Sequence, residues 1–113
     1  MPYVHVRVGR PLTDQERDAL GDRVGRLIEV IPDKSFVKTM IDIDDDCRIY
    51  RGGRRTACAF IETQLRRPNE TEAKRDYAEG LFTVCQDVLG LSNDQVYLTV
   101  VEVDHWGSSG RYR

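Results

Sequence analysis

Chemistry at the head of the chain centres on Met1-Pro2, because removal of the initiator methionine would turn the Pro2 ring nitrogen into a free secondary amine. Such an amine is a base or a nucleophile that needs no side chain. Proline also suits the first position of a strand, where its nitrogen need not donate to a ladder. Beyond it the residues alternate. Val4, Val6 and Val8 fall on one face and Tyr3, His5 and Arg7 on the other, the period of a half-buried strand that would hold the amine in a fixed place.

Other reactive residue types group less well. Cys47, Cys58 and Cys85 are odd in number and show no Cys-x-x-Cys spacing, so they read as reduced thiols, neither a disulfide framework nor a zinc site. His5 and His105 stand too far apart in sequence to argue a metal pair. The run Asp44-Asp45-Asp46 lacks the alternating ligands and closing glutamate of a calcium loop. We therefore expect no metal and no organic cofactor.

The elements that must position Pro2 follow from periodicity. Gly9-Arg10-Pro11-Leu12 breaks the first strand, and Thr13 with Glu16 has capping-box spacing. Leu20, Val24, Leu27, Ile28 and Ile31 then recur at three and four residues, predicting a helix over about residues 13 to 31. A second strand is expected from Phe36 to Asp44, with Val37, Thr39, Ile41 and Ile43 on one face. Residues 44 to 55 read as a solvated connection with a Gly52-Gly53 turn. A third strand is expected from Thr56 to Leu65, and a helix over about 69 to 89 bears Tyr77, Leu81, Val84, Cys85 and Val88, with Gly90 as its C-cap. A fourth strand spans Val96 to Val103. The tail from Asp104 reads as irregular.

Both halves thus read strand, Arg-Pro turn, amphipathic helix, loop, strand. The expected fold is α+β: a duplicated βαβ unit, with internal repeats over about 2 to 44 and 56 to 103, tail 104 to 113, and one four-stranded sheet carrying both helices on one face. At 113 residues this is a single domain. Apolar residues on both faces of several strands make a symmetric oligomer the expected state. Seventeen basic against nineteen acidic residues leave a net charge of -2, which argues against nucleic acid as partner. No run is apolar enough for a membrane span or signal peptide, so no membrane association and a cytoplasmic location are expected.

The Met-Pro start running into a short strand, the two βαβ halves and the tail Trp106-Gly107-Ser108-Ser109-Gly110 resemble the tautomerase superfamily. The Arg51-Gly52-Gly53 region, Cys58-Ala59-Phe60-Ile61 and Asp94-Gln95-Val96-Tyr97 resemble its macrophage migration inhibitory factor branch, the phenylpyruvate tautomerases. The resemblance implies a homotrimer with sites at subunit boundaries, and Pro2 as the general base interconverting keto and enol forms of a small α-keto acid such as phenylpyruvate. It further implies that Lys34 binds substrate carboxylate, that Tyr97 reaches the site from an adjoining subunit, and that Trp106 closes the pocket. Arg67 matches a substrate-binding arginine of decarboxylase and dehalogenase relatives, Asn69 stands where a second would be, and Arg10 matches one in short bacterial tautomerases; which of Arg10, Arg66 and Arg67 faces the pocket stays open. Ile61 replaces the second cysteine of the branch's Cys-x-x-Cys, so no redox activity carries over. Decarboxylation or hydration by the same proline, and a trimeric binding or signalling protein without turnover, are the alternatives. A ferredoxin-like regulatory domain shares the element count but not the Met-Pro head.

Overall fold

The valines of the first strand decide the architecture. In the computed structural model, which describes residues 1–113, Val4, Val6 and Val8 are fully buried on β1 (Tyr3–Val8). Burying such a side chain contributes about 1.5–3 kcal/mol, so this alternation fixes which face of the strand turns inward. β1 pairs in parallel with β2 (Met40–Asp44) and antiparallel with β5 (Ala59–Arg66), while β6 (Val96–Val103) lies parallel to β5. The sheet order is β2-β1-β5-β6, two parallel pairs back to back, as a duplicated βαβ unit requires.

The helices α1 (Asp14–Leu27) and α2 (Thr71–Leu89) pack on one sheet face and on each other. At α1 the Thr13 hydroxyl accepts from the Glu16 amide at 3.1 Å and the Glu16 carboxylate accepts from the Thr13 amide at 3.0 Å. That is the capping box the spacing predicts. α2 ends at Gly90, whose φ of 67° is the left-handed cap that glycine adopts without strain. Leu20, Val24, Ile28 and Ile31 from the first half meet Tyr77, Leu81 and Cys85 from the second in one core.

Four expectations need correction. The helix predicted to residue 31 leaves α geometry after Leu27 and finishes as a 3-10 turn, Ile28–Val30. The second strand does not begin at Phe36. Residues Phe36–Lys38 form a 3-10 turn, because the Thr39 hydroxyl donates to the Ser35 carbonyl at 2.8 Å and the Thr39 amide to that of Phe36 at 3.1 Å, local bonds that compete with a ladder. Val37, expected to share a strand face with Thr39, Ile41 and Ile43, is 86% exposed. The tail is not irregular either: β7 (Gly107–Ser108) and β8 (Arg111–Tyr112) form a hairpin turning through Ser109 and Gly110, both at positive φ. A similar small hairpin, β3 (Tyr50–Arg51) with β4 (Arg54–Arg55), turns at Gly52 and Gly53. The third strand is shifted from the expected start at Thr56 to Ala59 and runs through Arg66.

The sheet face away from the helices stays open, exposing Met40, Phe60, Tyr97 and Val101. No helix is long and apolar enough to cross a membrane.

Candidate active site

Pro2 is buried at the head of β1, and its carbonyl accepts from the Met40 amide at 3.1 Å, the bond that opens the β1–β2 ladder. Lacking an N–H, Pro2 cannot extend that ladder toward the N-terminus, so the strand stops where the amine chemistry would begin. A cleft of about 360 Å³ opens there, with Pro2, Tyr3, Lys38, Met40, Gln64 and Trp106 in its wall. A second hollow of about 380 Å³ adjoins it, shares Met1, Lys38, Trp106 and Ser108, and adds Arg66, Arg111 and Arg113. Neither contains an aspartate or glutamate side chain.

Three elements deliver the cations. Lys34 sits in the loop after the first crossover and donates from Nζ to the Arg66 carbonyl at 3.4 Å. Lys38 ends the 3-10 turn that Phe36 anchors: the Phe36 ring lies under the Arg26 guanidinium at 4.6 Å, and its amide donates to the Glu29 carboxylate at 3.1 Å. Arg66 is the last residue of β5, and its Nε is buried without a hydrogen-bond partner. The chain's amino group responds to this setting. Burial lowers its pKa first, and Lys34, Lys38 and Arg66 lower it further by charge repulsion. While Met1 is in place, the Pro2 nitrogen is an amide and holds no proton to exchange.

The other expected residues are dispersed. Trp106 lies in the wall of both hollows. Arg67 points elsewhere: its Nε pairs with Asp104 at 2.9 Å, and a second nitrogen donates to the Glu102 carbonyl at 3.3 Å. Arg66 is therefore the arginine of this corner that faces the cleft. Arg10 clamps the helix ends instead, donating to the Glu16 carboxylate at 2.9 Å and the Leu89 carbonyl at 2.8 Å, and it holds the Glu16 carboxyl down at about 2. Asn69 is committed to the Arg66 carbonyl and to Glu102, each at 3.0 Å. Tyr97 stands opposite Phe60 and Arg7 in the ladder, at the end of the sheet remote from Pro2. There its hydroxyl accepts from Arg51 at 3.1 Å.

Sequence reasoning missed Lys38, Arg111 and Arg113. For Lys38 the available signal was Ser35 and Thr39 flanking the turn; for the arginines it was Ser109-Gly110 followed by alternation. It also missed His5 with Asp42 and Asp44, whose ligand atoms lie within 4.8 Å of one another once β1 pairs with β2. His5 Nε2 is 2.7 Å from the Asp44 carboxylate, and Tyr3 donates to Asp42 at 3.0 Å, so these groups satisfy one another on the open sheet face.

No family model matches the chain, and no curated protein matches it in sequence. Solved structures do match. MIF2 of Leishmania major aligns with a TM-score of 0.87 at 18% identity, over 100% of this chain and 97% of that one. Pt0534 inactivated by 2-oxo-3-pentynoate aligns at 0.87 with 12% identity, over 96% and 93%. The R7 fused 4-OT wild-type asymmetric trimer aligns at 0.86 with 16% identity, again over 96% and 94%. Two βαβ halves in one sheet, matched over nearly the whole length by these structures, give the protein the fold of the tautomerase superfamily, with macrophage migration inhibitory factor-like proteins among its structural matches.

Proposed function

We propose that this protein is a cofactor-independent keto-enol tautomerase of small 2-oxo acids, with the Pro2 imino nitrogen, freed by removal of Met1, as general base. The observation that carries the reading is a buried Pro2 opening into a cleft that Lys38 lines, with Arg66 in the adjoining hollow and no acidic side chain in either wall. A general base works best with a pKa near the operating pH, and burial with neighbouring cations moves an amine in that direction.

The steps balance without any further group. Neutral Pro2 takes a proton from the carbon beside the ketone, and the C–H electrons become the C=C bond as the carbonyl pair moves onto oxygen. Arg66 and Lys34 hold the substrate carboxylate and offset the charge developing on that oxygen. The protonated Pro2 then returns its proton to the oxygen, giving the enol; ketonisation is the reverse. Trp106 covers the cleft and limits water there, which strengthens each charge interaction.

Assembly belongs to the same reading. The exposed Met40, Phe60, Tyr97 and Val101 suit burial against further copies, and one of the matched structures is a trimer. In a homotrimer Tyr97 of an adjoining copy would complete the site, supplying a further hydroxyl donor beside Pro2. Arg67, held by Asp104, is a supporting residue of the tail and not a substrate ligand in this mechanism. Hydration would require a carboxylate to activate water, and the cleft wall of the protomer contains none; decarboxylation would draw on Arg67, which Asp104 holds away from the cleft.

The test is phenylpyruvate ketonisation by chain whose mass shows Met1 removed, beside Pro2→Ala and a Met1-retaining form. Both variants should lose at least about a hundred-fold in kcat/KM, the low end for a general base, while keeping the assembled mass. Undiminished turnover in Pro2→Ala would refute the mechanism.

A further inference from the structure

Pairing of β1 with β2 gathers a histidine and two aspartates that the Pro2 mechanism leaves idle. In β2 the order Ile41-Asp42-Ile43-Asp44 alternates, and because both isoleucines pack against the core, both aspartates stand on the open face of the sheet. β1 turns Tyr3, His5 and Arg7 to that face, with His5 directly opposite Asp42 in the parallel ladder and Glu62 of β5 opposite it on the other side. The imidazole thereby meets two carboxylates, one ligand atom from each of His5, Asp42 and Asp44 lying within 4.8 Å of the others. His5 Nε2 is 2.7 Å from the Asp44 carboxylate, and the Tyr3 hydroxyl donates to Asp42 at 3.0 Å, holding that carboxylate in place.

Charge on this face is unbalanced. Asp42 and Glu62 belong to none of the ion pairs in the protein, Asp44 has only His5, and Arg7, opposite Asp44 in the ladder, pairs with no carboxylate. The negative charges reach Tyr3, whose phenol pKa is raised by partial burial first, then by its bond to Asp42 and by the charges of Asp42, Asp44 and Glu62. The same face exposes Met40, Phe60, Tyr97 and Val101, the apolar residues that the proposed assembly covers. Covering them takes the carboxylates out of water as well, and buried charges are costly unless a cation shares the space.

We infer that His5, Asp42 and Asp44 bind one divalent transition-metal ion of the zinc type, which ties the edge strand β2 to β1. An imidazole nitrogen with two carboxylate oxygens suits Zn2+ or a neighbour in the first transition row, whereas Mg2+ and Ca2+ prefer sites of oxygen alone. Ligands about 2.0–2.2 Å from zinc stand about 3.3 Å apart in a tetrahedron, so the close His5–Asp44 pair opens and the wider separations shrink, which rotation of the exposed carboxylates accomplishes without moving either strand. The ion displaces the proton that joins His5 to Asp44, because a ligating histidine is neutral. Three protein ligands leave a fourth position, open to Glu62 beside His5 or to water. The site is independent of the Pro2 chemistry, whose proton transfer uses none of the three ligands.

The experiment titrates Zn2+ into the intact, chelator-treated protein by calorimetry, with Mg2+ in parallel, and follows the His5 ring signals by NMR. One Zn2+ should bind per chain with micromolar affinity or tighter, and Mg2+ far more weakly. His5→Gln, Asp42→Asn and Asp44→Asn should each weaken zinc binding by at least about ten-fold, the loss that even outlying partners of a metal site cause. His105→Gln and Cys47→Ser, which remove the other histidine and the partly exposed thiol, should leave the affinity unchanged. Zinc should also slow hydrogen exchange of the β2 amides in the unaltered chain and not in His5→Gln. No binding at millimolar Zn2+, equal binding of Mg2+, or an affinity that survives His5→Gln or depends on His105 or Cys47 overturns the inference. Should a variant not fold, zinc-induced shifts of the His5 ring signals in the unaltered chain decide the site, and their absence counts against it.

Discussion

Lys34 Nζ donates to the carbonyl oxygen of Arg66 across 3.4 Å, fastening the loop that closes the first βαβ half to the last residue of the strand that opens the second. The bond brings two cations to one corner, where mutual repulsion would otherwise part them. The backbone carbonyl accepts the ammonium proton, and the buried Arg66 Nε keeps its own unspent. Pro2 sits beside this corner because β1 lies between β2 and β5, with its head, Tyr3 opposite Gln64, against the end of β5.

Neighbouring arginines at this corner should behave oppositely. Arg66→Gln removes a cation from the cleft and should raise KM for a 2-oxo acid about ten-fold or more, the scale of a lost charge-assisted bond. It should also shift the pH profile. The active base is the neutral amine, so kcat/KM rises with pH through its pKa; burial and then Lys34, Lys38 and Arg66 lower the pKa of the Met1 amino group, and the same cations beside a freed Pro2 would place the rise at lower pH. Without Arg66 the rising limb moves to higher pH. Arg67→Gln breaks a pair between exposed side chains, 56% and 70% accessible, and should leave the limb in place with stability changed by no more than about 1 kcal/mol. Steady-state kinetics from pH 5 to 9 separate the two.

Gly25 offers a route to the site through the core. A Cβ there would come within 2.5 Å of the Phe36 ring, the anchor of the turn that carries Lys38. Gly25→Ala should cost about 1–3 kcal/mol of stability by overpacking, despite alanine's better helix propensity. The displaced turn should raise KM as well. Denaturant melts and kinetics on one preparation show whether both effects travel together; stability lost with KM unmoved would mean the turn is fixed independently of Phe36.

Thr63 and Tyr77 form a buried hydroxyl pair 2.7 Å apart, both fully inaccessible, and burial pushes the Tyr77 phenol up to about 12. Tyr77→Phe leaves the Thr63 hydroxyl without its partner and should destabilise by about 1–3 kcal/mol. Combining it with Thr63→Val removes both polar groups, so the double variant should be more stable than the sum of the single losses implies. Additive losses in urea melts would show that the bond contributes nothing net.

Much of this fold is written locally. The alternating valines of β1, the Thr13 and Glu16 spacing, the stripe from Leu20 to Leu27 and Gly90 after α2 are short-range patterns, and each has the structural meaning its period implies. The strand expected from Phe36 failed because alternation at Val37 and Thr39 was outweighed by hydroxyl-to-backbone bonds that hydropathy does not register. The tail hairpin was missed because a two-residue turn at Ser109 and Gly110 leaves strands too short for periodicity to reveal.

The site divides in the same way. Sequence alone determined that a proline could head a buried strand, since that depends only on residue type and on the alternation after it. Which arginine serves that proline is set by tertiary structure: Arg66 and Arg67 are adjacent, yet the end of β5 directs one to the cleft while Asp104 draws the other away. Neither the meeting of Lys34 and Lys38 with Arg66 nor the arrival of Arg111 and Arg113 beside Trp106 follows from spacing, because charges that repel are brought together only by the packing energy of the elements that carry them.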